Sequence, residues 1–175
     1  MAVDIVLSQE LERACKDAGF EKVLVVGRDL EILEPSSLGS LKRKLEHGGT
    51  KLIFVRGGDL ARNRIGVRDT GIDYLLDPVF EGRGFDPQIV SVAKENDVGL
   101  AFSFSSILSV QGAKRAALIG RIMDTIEIAV SKGLRVLFAS FAENPSQIRT
   151  SYDLSQFVST LGLTFVQARA CLERV

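Results

Sequence analysis

The sequence predicts an α/β domain spanning residues 1–175, with helices packed on a mainly parallel sheet. Three observations predict it. Short apolar runs recur along the chain, amphipathic helical patterns lie between them, and the connections are brief. The runs fall at 3–7, 22–26, 31–33, 51–55, 73–76, 98–102 and 135–139. They are rich in β-branched residues and nearly continuous rather than alternating, which is how strands buried on both faces read.

Helical stretches follow at 9–18, 37–46, 86–95, 112–132, 152–161 and 164–173. In 86–95, Asp86 stands as N-cap before Pro87, a residue that the first helical turn tolerates. In 112–132, Ile119, Ile122, Met123, Ile126, Ala129 and Val130 recur at steps of three and four. Lys114, Arg121, Thr125 and Lys132 fall largely on the other side, and Gly133 closes the helix as a left-handed cap. About seven strands and six helices suit an open doubly wound sheet or a small, trimmed β/α barrel. In either, the loops from strand to helix carry the function. No repeat, linker or composition break divides the chain, so a single domain is expected.

Composition removes several classes of function. Hydrophobic residues make up 46% and charged residues 25%, a globular balance that excludes disorder as the main story. No apolar stretch approaches membrane-spanning length, and no secretory pattern follows Met1. Two cysteines make no disulfide framework, so a reducing, cytoplasmic location is expected. Lys plus Arg equals Asp plus Glu at 22 each, so any contact with nucleic acid must come from charge gathered on one face. A single histidine, His47, argues against histidine-rich metal centres and His-paired nucleophiles. At the end of the 37–46 helix it reads as a cation near a helix C-terminus.

Familiar catalytic motifs are absent. There is no phosphate loop and no nucleophile elbow, and Gly82-Arg83-Gly84 starts a dinucleotide fingerprint that Pro87 breaks. Ser103, Ser105, Ser106 and Ser140 end strands without a histidine base. Asp77, Glu81 and Asp86 could together hold a hard cation, though a turn and a helix cap explain Asp77 and Asp86 as well. Cys15 and Cys171, each on an amphipathic helix, read as packed thiols.

Basic charge is unevenly placed. Residues 56–68 hold Arg56, Arg62, Arg64 and Arg68 against Asp59 alone. Residues 111–121 hold Lys114, Arg115 and Arg121 with no acid, and Lys42-Arg43-Lys44 forms a third spot offset by Glu46. Both longer segments are expected at one rim of a β/α fold, where arginine forks suit phosphate oxygens. A solvated surface laced with ion pairs explains the same charge. Aromatic platforms for stacking single-stranded bases are lacking, so if RNA is bound it is structured RNA read through phosphates and shape.

The order of short segments resembles the archaeal ribonuclease P protein component 3 family, whose relatives include the barrel-like subunit of eukaryotic nuclear ribonuclease P. Asn63-Arg64 precedes Asp73-Tyr74-Leu75-Leu76-Asp77-Pro78. Residues 89–93 and Asn96 follow, then the strand 98–103 running into Ser106-Ile107-Leu108, then Gly112 and Arg115 with the long helix. Ser140, Ala142 and Ile148-Arg149-Thr150-Ser151-Tyr152-Asp153-Leu154 continue the likeness to Leu161-Gly162. Tyr152 stands where a proline is common and Phe102 where many members carry an acid.

The resemblance implies a TIM-like β/α barrel related to polymerase-and-histidinol-phosphatase-type metal hydrolases, with the metal ligands absent. It implies a non-catalytic subunit of the ribonucleoprotein that removes 5′ leaders from precursor tRNA. The RNA would cut with Mg²⁺, and this chain would carry no cofactor. Its partners would be the ribonuclease P RNA, a Pop-five-like protein and the other ribonuclease P proteins. The expected contacts to RNA or to an acidic partner surface are Asn63, Arg64, Arg68, Arg83, Lys114, Arg115 and Arg149. Two alternatives stand beside this reading: an autonomous metal-dependent phosphoesterase of the same fold, and an interaction module of another complex.

Overall fold

The structure is a computed structural model that describes residues 1–46, 51–82 and 84–173. Strand β1 (Val3–Val6) leads through a 3-10 turn (Gln9–Leu11) into helix α1 (Glu12–Asp17). Strand β2 (Lys22–Val25) passes to β3 (Leu30–Leu33) with no helix between them, and α2 (Leu38–Glu46) follows. Then come β4 (Leu52–Arg56), α3 (Leu60–Gly66), β5 (Tyr74–Leu76), α4 (Pro87–Glu95) and β6 (Gly99–Ser103). Helices α5 (Phe104–Ser109) and α6 (Gly112–Ser131) precede β7 (Val136–Ala139). A second 3-10 turn (Pro145–Gln147), α7 (Ser151–Ser159) and α8 (Phe165–Cys171) complete the described chain.

The strands form a barrel. β1 and β2 pair in parallel, as do β3 through β7 in sequence order. Parallel bridges Val6–Ala142 and Val26–Leu30 join the two sheets at both seams, which decides between the open sheet and the barrel.

Closure divides the apolar residues into two cores. Val3, Ile5, Leu24, Leu30, Phe54, Tyr74, Leu76, Ala101, Leu137, Ala139 and Phe141 fill the interior. The alternate residues of the same strands, such as Val55, Leu75, Leu100, Phe102 and Phe138, pack outward against the helices. Inside, Phe54 and Tyr74 stack with centroids 5.0 Å apart. They fit because β6 brings small residues to that layer: a Cβ on Gly99 would lie 2.6 Å from the Tyr74 ring. Phe102 stacks against Phe138 in the outer layer, so that position does not face the barrel mouth.

Two helices escape the sequence pattern. α3 turns Asn63 and Gly66 toward the barrel wall, and a Cβ on Gly66 would lie 2.6 Å from Leu75 Cδ1, so its buried stripe contains no hydrophobic period. α5 starts where the Ser103 side chain caps it by accepting from Ser106 N, directly after the strand that the sequence places at 98–102, in a stretch where the sequence predicts no helix. The stretch 9–18 divides into the 3-10 turn and α1. Asp86 caps α4 with Pro87 in its first turn, and Gly133 (φ 73) follows α6, both as expected. α7 starts at Ser151, capped by Thr150, with Tyr152 exposed in its first turn. No helix among the described residues is long and apolar enough to cross a membrane.

Candidate nucleic-acid interface

Helix α3 leaves the C-terminal end of β4 with Asp59 as its N-cap, accepting from Arg62 N at 2.9 Å. That polarity carries Arg64 and Arg68 outward along the barrel wall, so the basic segment 56–68 does not stay at the rim. Arg64 Nη2 reaches Asp86 Oδ2 at 3.4 Å, while Asp86 Oδ1 accepts from Ile89 N at 2.8 Å to cap α4. Arg68 has no ion pair among the described residues. The two arginines, with Val67, Gln88, Ile89 and Val92, line a cavity of about 240 Å³. Two guanidinium groups over an apolar floor can take phosphate oxygens, and the exposed Arg64–Asp86 pair yields easily to a stronger anion.

Asn63 is corrected from a contact residue to an internal tie. It is fully buried, donates from Nδ2 to the carbonyls of Pro78 and Gly84 at 2.6 Å each, and accepts from Gly58 N at 3.2 Å. A side chain with no surface reaches neither RNA nor a protein partner.

Arg115 and Arg149 both serve α5. Arg115 donates to Val110 O at 2.7 Å and Leu108 O at 3.2 Å, closing the α5–α6 junction. Arg149 donates from Nη1 to Ser146 O and Ile148 O, both at 2.8 Å, with its guanidinium over the Phe104 ring. Both are half-buried and keep part of the fork free. Lys114 is exposed in the first turn of α6 and without an ion pair among the described residues. The predicted residues therefore form no single patch: Arg64 and Arg68 share a groove, and Arg115 and Arg149 clasp α5. The expectations for Arg83 and His47 lie outside the described residues.

The carboxylates considered as a cation site are held apart by separate partners. Glu81 Oε1 pairs with Arg62, Asp86 caps α4, and Asp77 is buried at the end of β5. Asp77 accepts from Ser103 N at 2.8 Å, Ser103 Oγ at 2.6 Å and Ser106 Oγ at 2.8 Å, with Arg56 Nη1 3.7 Å away. Burial pushes its carboxyl above the usual carboxylate range, opposed by those hydrogen bonds. A matching pair joins β1 to β7: Asp4 accepts from Ser140 N and Ser140 Oγ at 2.7 Å each, and burial raises its carboxyl too. Cys15 donates to Asp4 at 3.4 Å, and burial pushes this thiol up to about 12, while Cys171 is likewise buried. Among the described residues no three His, Cys, Asp or Glu side chains gather as a metal site. Sequence reasoning weighed Ser103 and Ser140 only as nucleophiles. Their aspartate partners lie 26 and 136 positions away, and Asp4 meets Ser140 only where the barrel closes, so neither pair was legible in the sequence.

A family model for the RNase P subunit p30 matches residues 15–175 of this chain. "Ribonuclease P protein component 3" of Thermococcus kodakarensis is 27% identical over 168 residues, covering 95% of this chain and 72% of that protein. The protein of the same name from Methanocaldococcus jannaschii is 29% identical over 112 residues, covering 63% and 48%. That from Methanosarcina acetivorans is 27% identical over 160 residues, covering 90% and 65%. The chain thus spans from about half to about three quarters of the length of these relatives. Among solved structures, a chain in the cryo-EM structure of archaeal ribonuclease P with mature tRNA superposes with a TM-score of 0.77 at 24% identity. That match covers 98% of this chain and 77% of the other, and shows a shared fold.

Proposed function

This chain belongs to the RNase P subunit p30 family, and on that premise we propose that it is a protein subunit of ribonuclease P, acting in tRNA 5′ maturation. The observation that carries the reading is the family match running from residue 15 to residue 175, through the barrel and its helices. In this reading the RNA cleaves the 5′ leader with its own Mg²⁺, and this chain supports that RNA together with a Pop-five-like protein and the other subunits. The location is cytoplasmic.

The side-chain chemistry supports a supporting role rather than an autonomous phosphoesterase. Asp77 is engaged by two serines, Glu81 by Arg62 and Asp86 by the α4 N-terminus, and the three do not gather around one position as metal ligands must. Arg64, Arg68 and Lys114 are the RNA phosphate contacts. Arg115 and Arg149 act mainly by fixing α5, and Asn63 by fixing the loops behind Arg64.

Charge reversal at Arg68 and Lys114 together tests this assignment, because neither holds the fold through an ion pair. The double variant is expected to keep its unfolding midpoint and to weaken binding of the assembled particle to its RNA. It should also flatten the salt dependence by about one unit of slope per lost phosphate contact. An unchanged slope across a salt titration removes both residues from the interface.

A further inference from the structure

The C-terminal mouth of the barrel holds a cavity of about 220 Å³ that the interface above does not use. Leu7 after β1, Arg56 at the end of β4, Leu76 at the end of β5, the β6–α5 junction and the segment after β7 converge on it. In β/α barrels this is the face where ligand sites are built, because its loops vary without disturbing the strands below. Asp77 (φ 51) and Phe141 (φ 47) adopt left-handed backbone at this end, a conformation that costs side-chain-bearing residues energy and is held only by firm surroundings.

The polar groups of the cavity are biased toward donors. The Asp77 oxygens are already taken by Ser103 and Ser106. Ser105 Oγ makes no hydrogen bond among the described residues. Gln147 uses Oε1 to accept from Glu143 N at 2.7 Å, which turns its Nε2 amide away without a partner among the described residues. Arg56 lines this cavity and also a neighbouring one of about 300 Å³ with Arg62. Its closer ion pair, at 2.9 Å, is with Glu34, which is 70% exposed and so a weak competitor for a guanidinium, while its Nη1 also lies 3.7 Å from buried Asp77. The opposing charges are Asp77, buried and held by Ser103 and Ser106, and Glu143, exposed at the rim.

We infer that the barrel mouth is a phosphate-binding site, in which Arg56, Ser105 and Gln147 donate to the oxygens of a phosphate group on a nucleotide or an RNA strand. A guanidinium with neutral donors beside it is the chemistry that recognises phosphate. The site belongs to the isolated barrel and does not depend on assembly into a ribonucleoprotein.

The test is a nitrogen-15 NMR titration of the full chain with inorganic phosphate, adenosine monophosphate and a short unstructured RNA lacking terminal phosphates. Ionic strength is held constant with chloride. Saturable shifts are expected at Ser105, Ser106 and the Gln147 side-chain amide. Saturation by the monophosphate alone assigns a phosphate monoester, and saturation by the oligonucleotide assigns the RNA backbone. Arg56→Gln should weaken binding about tenfold or more, as loss of a charged hydrogen bond does. Ser105→Ala should weaken it several-fold. Glu34→Gln, which leaves the barrel intact, should tighten it several-fold by freeing Arg56. Absence of saturable shifts with all three probes, equal shifts with chloride, or no response to Glu34→Gln and Arg56→Gln would overturn the site.

Discussion

Asn63 occupies a position that looks, in one dimension, like part of an Asn-Arg contact motif. In three dimensions only the arginine is on the surface. Removing the Asn63 amide leaves Gly58 N–H, Pro78 O and Gly84 O without their partner inside the protein. Each buried orphan costs roughly 1–3 kcal/mol, so Asn63→Ala should destabilise the fold by about 3 kcal/mol or more in urea unfolding. Arg64→Gln should change stability by no more than about 0.5 kcal/mol, as exposed substitutions do, and act on RNA affinity instead. Equal unfolding midpoints for the two variants would contradict the division of roles.

Asp77 makes a prediction about pH. Its folded carboxyl titrates above the ordinary value, so its contribution to stability is complete below the unfolded value near 4. That contribution is lost as pH rises through the folded value. Asp77→Asn keeps an acceptor for Ser103 N but cannot ionise. The stability of the natural chain relative to this variant should therefore be greatest in acid and fall toward neutrality, with a slope of at most about 1.4 kcal/mol per pH unit. A difference that stays constant from acid to neutral pH would refute it. Neither role was legible beforehand: sequence shows that an Asn or Asp is present, while burial and partners come from residues 5 to 29 positions away.

At the scale of elements the strands were legible, because their short continuous apolar runs are rich in β-branched residues and alternate with longer helical patterns. The long α6 was legible for the complementary reason, a sustained three-and-four period on one face. α3 and α5 were not, since one packs through Asn63 and Gly66 and the other is half serine. Small residues on β6 were likewise silent until the ring of Tyr74 supplied a reason for them. Gly99→Ala forces a Cβ within 2.6 Å of that ring, inside a filled barrel. Overpacking of this kind costs about 1–3 kcal/mol, which in a chain of this size lowers Tm by roughly 2–12 °C. Calorimetry of Gly99→Ala checks this, and an unchanged Tm would mean that the interior is looser than the stacked rings indicate.

The whole molecule is electrically balanced, and its useful positive charge is split between the α3–α4 groove and the α5–α6 junction. A neutral protein with two separated basic spots gains little from long-range attraction, so firm RNA binding is expected only when partners hold it in place. The family likeness was legible in the order of short segments. From the element pattern alone the barrel was one of two options, because the seam at Val6 and Ala142 joins residues from opposite ends of the chain; the family likeness is what pointed to the barrel.

The most direct measurement is leader removal from precursor tRNA by ribonuclease P RNA and its proteins, with this chain present, omitted or supplied alone. The chain alone should leave the substrate intact, and its omission should slow the particle markedly at fixed Mg²⁺ concentration. Cleavage by the purified chain without RNA, or equal rates with and without it, would contradict the account.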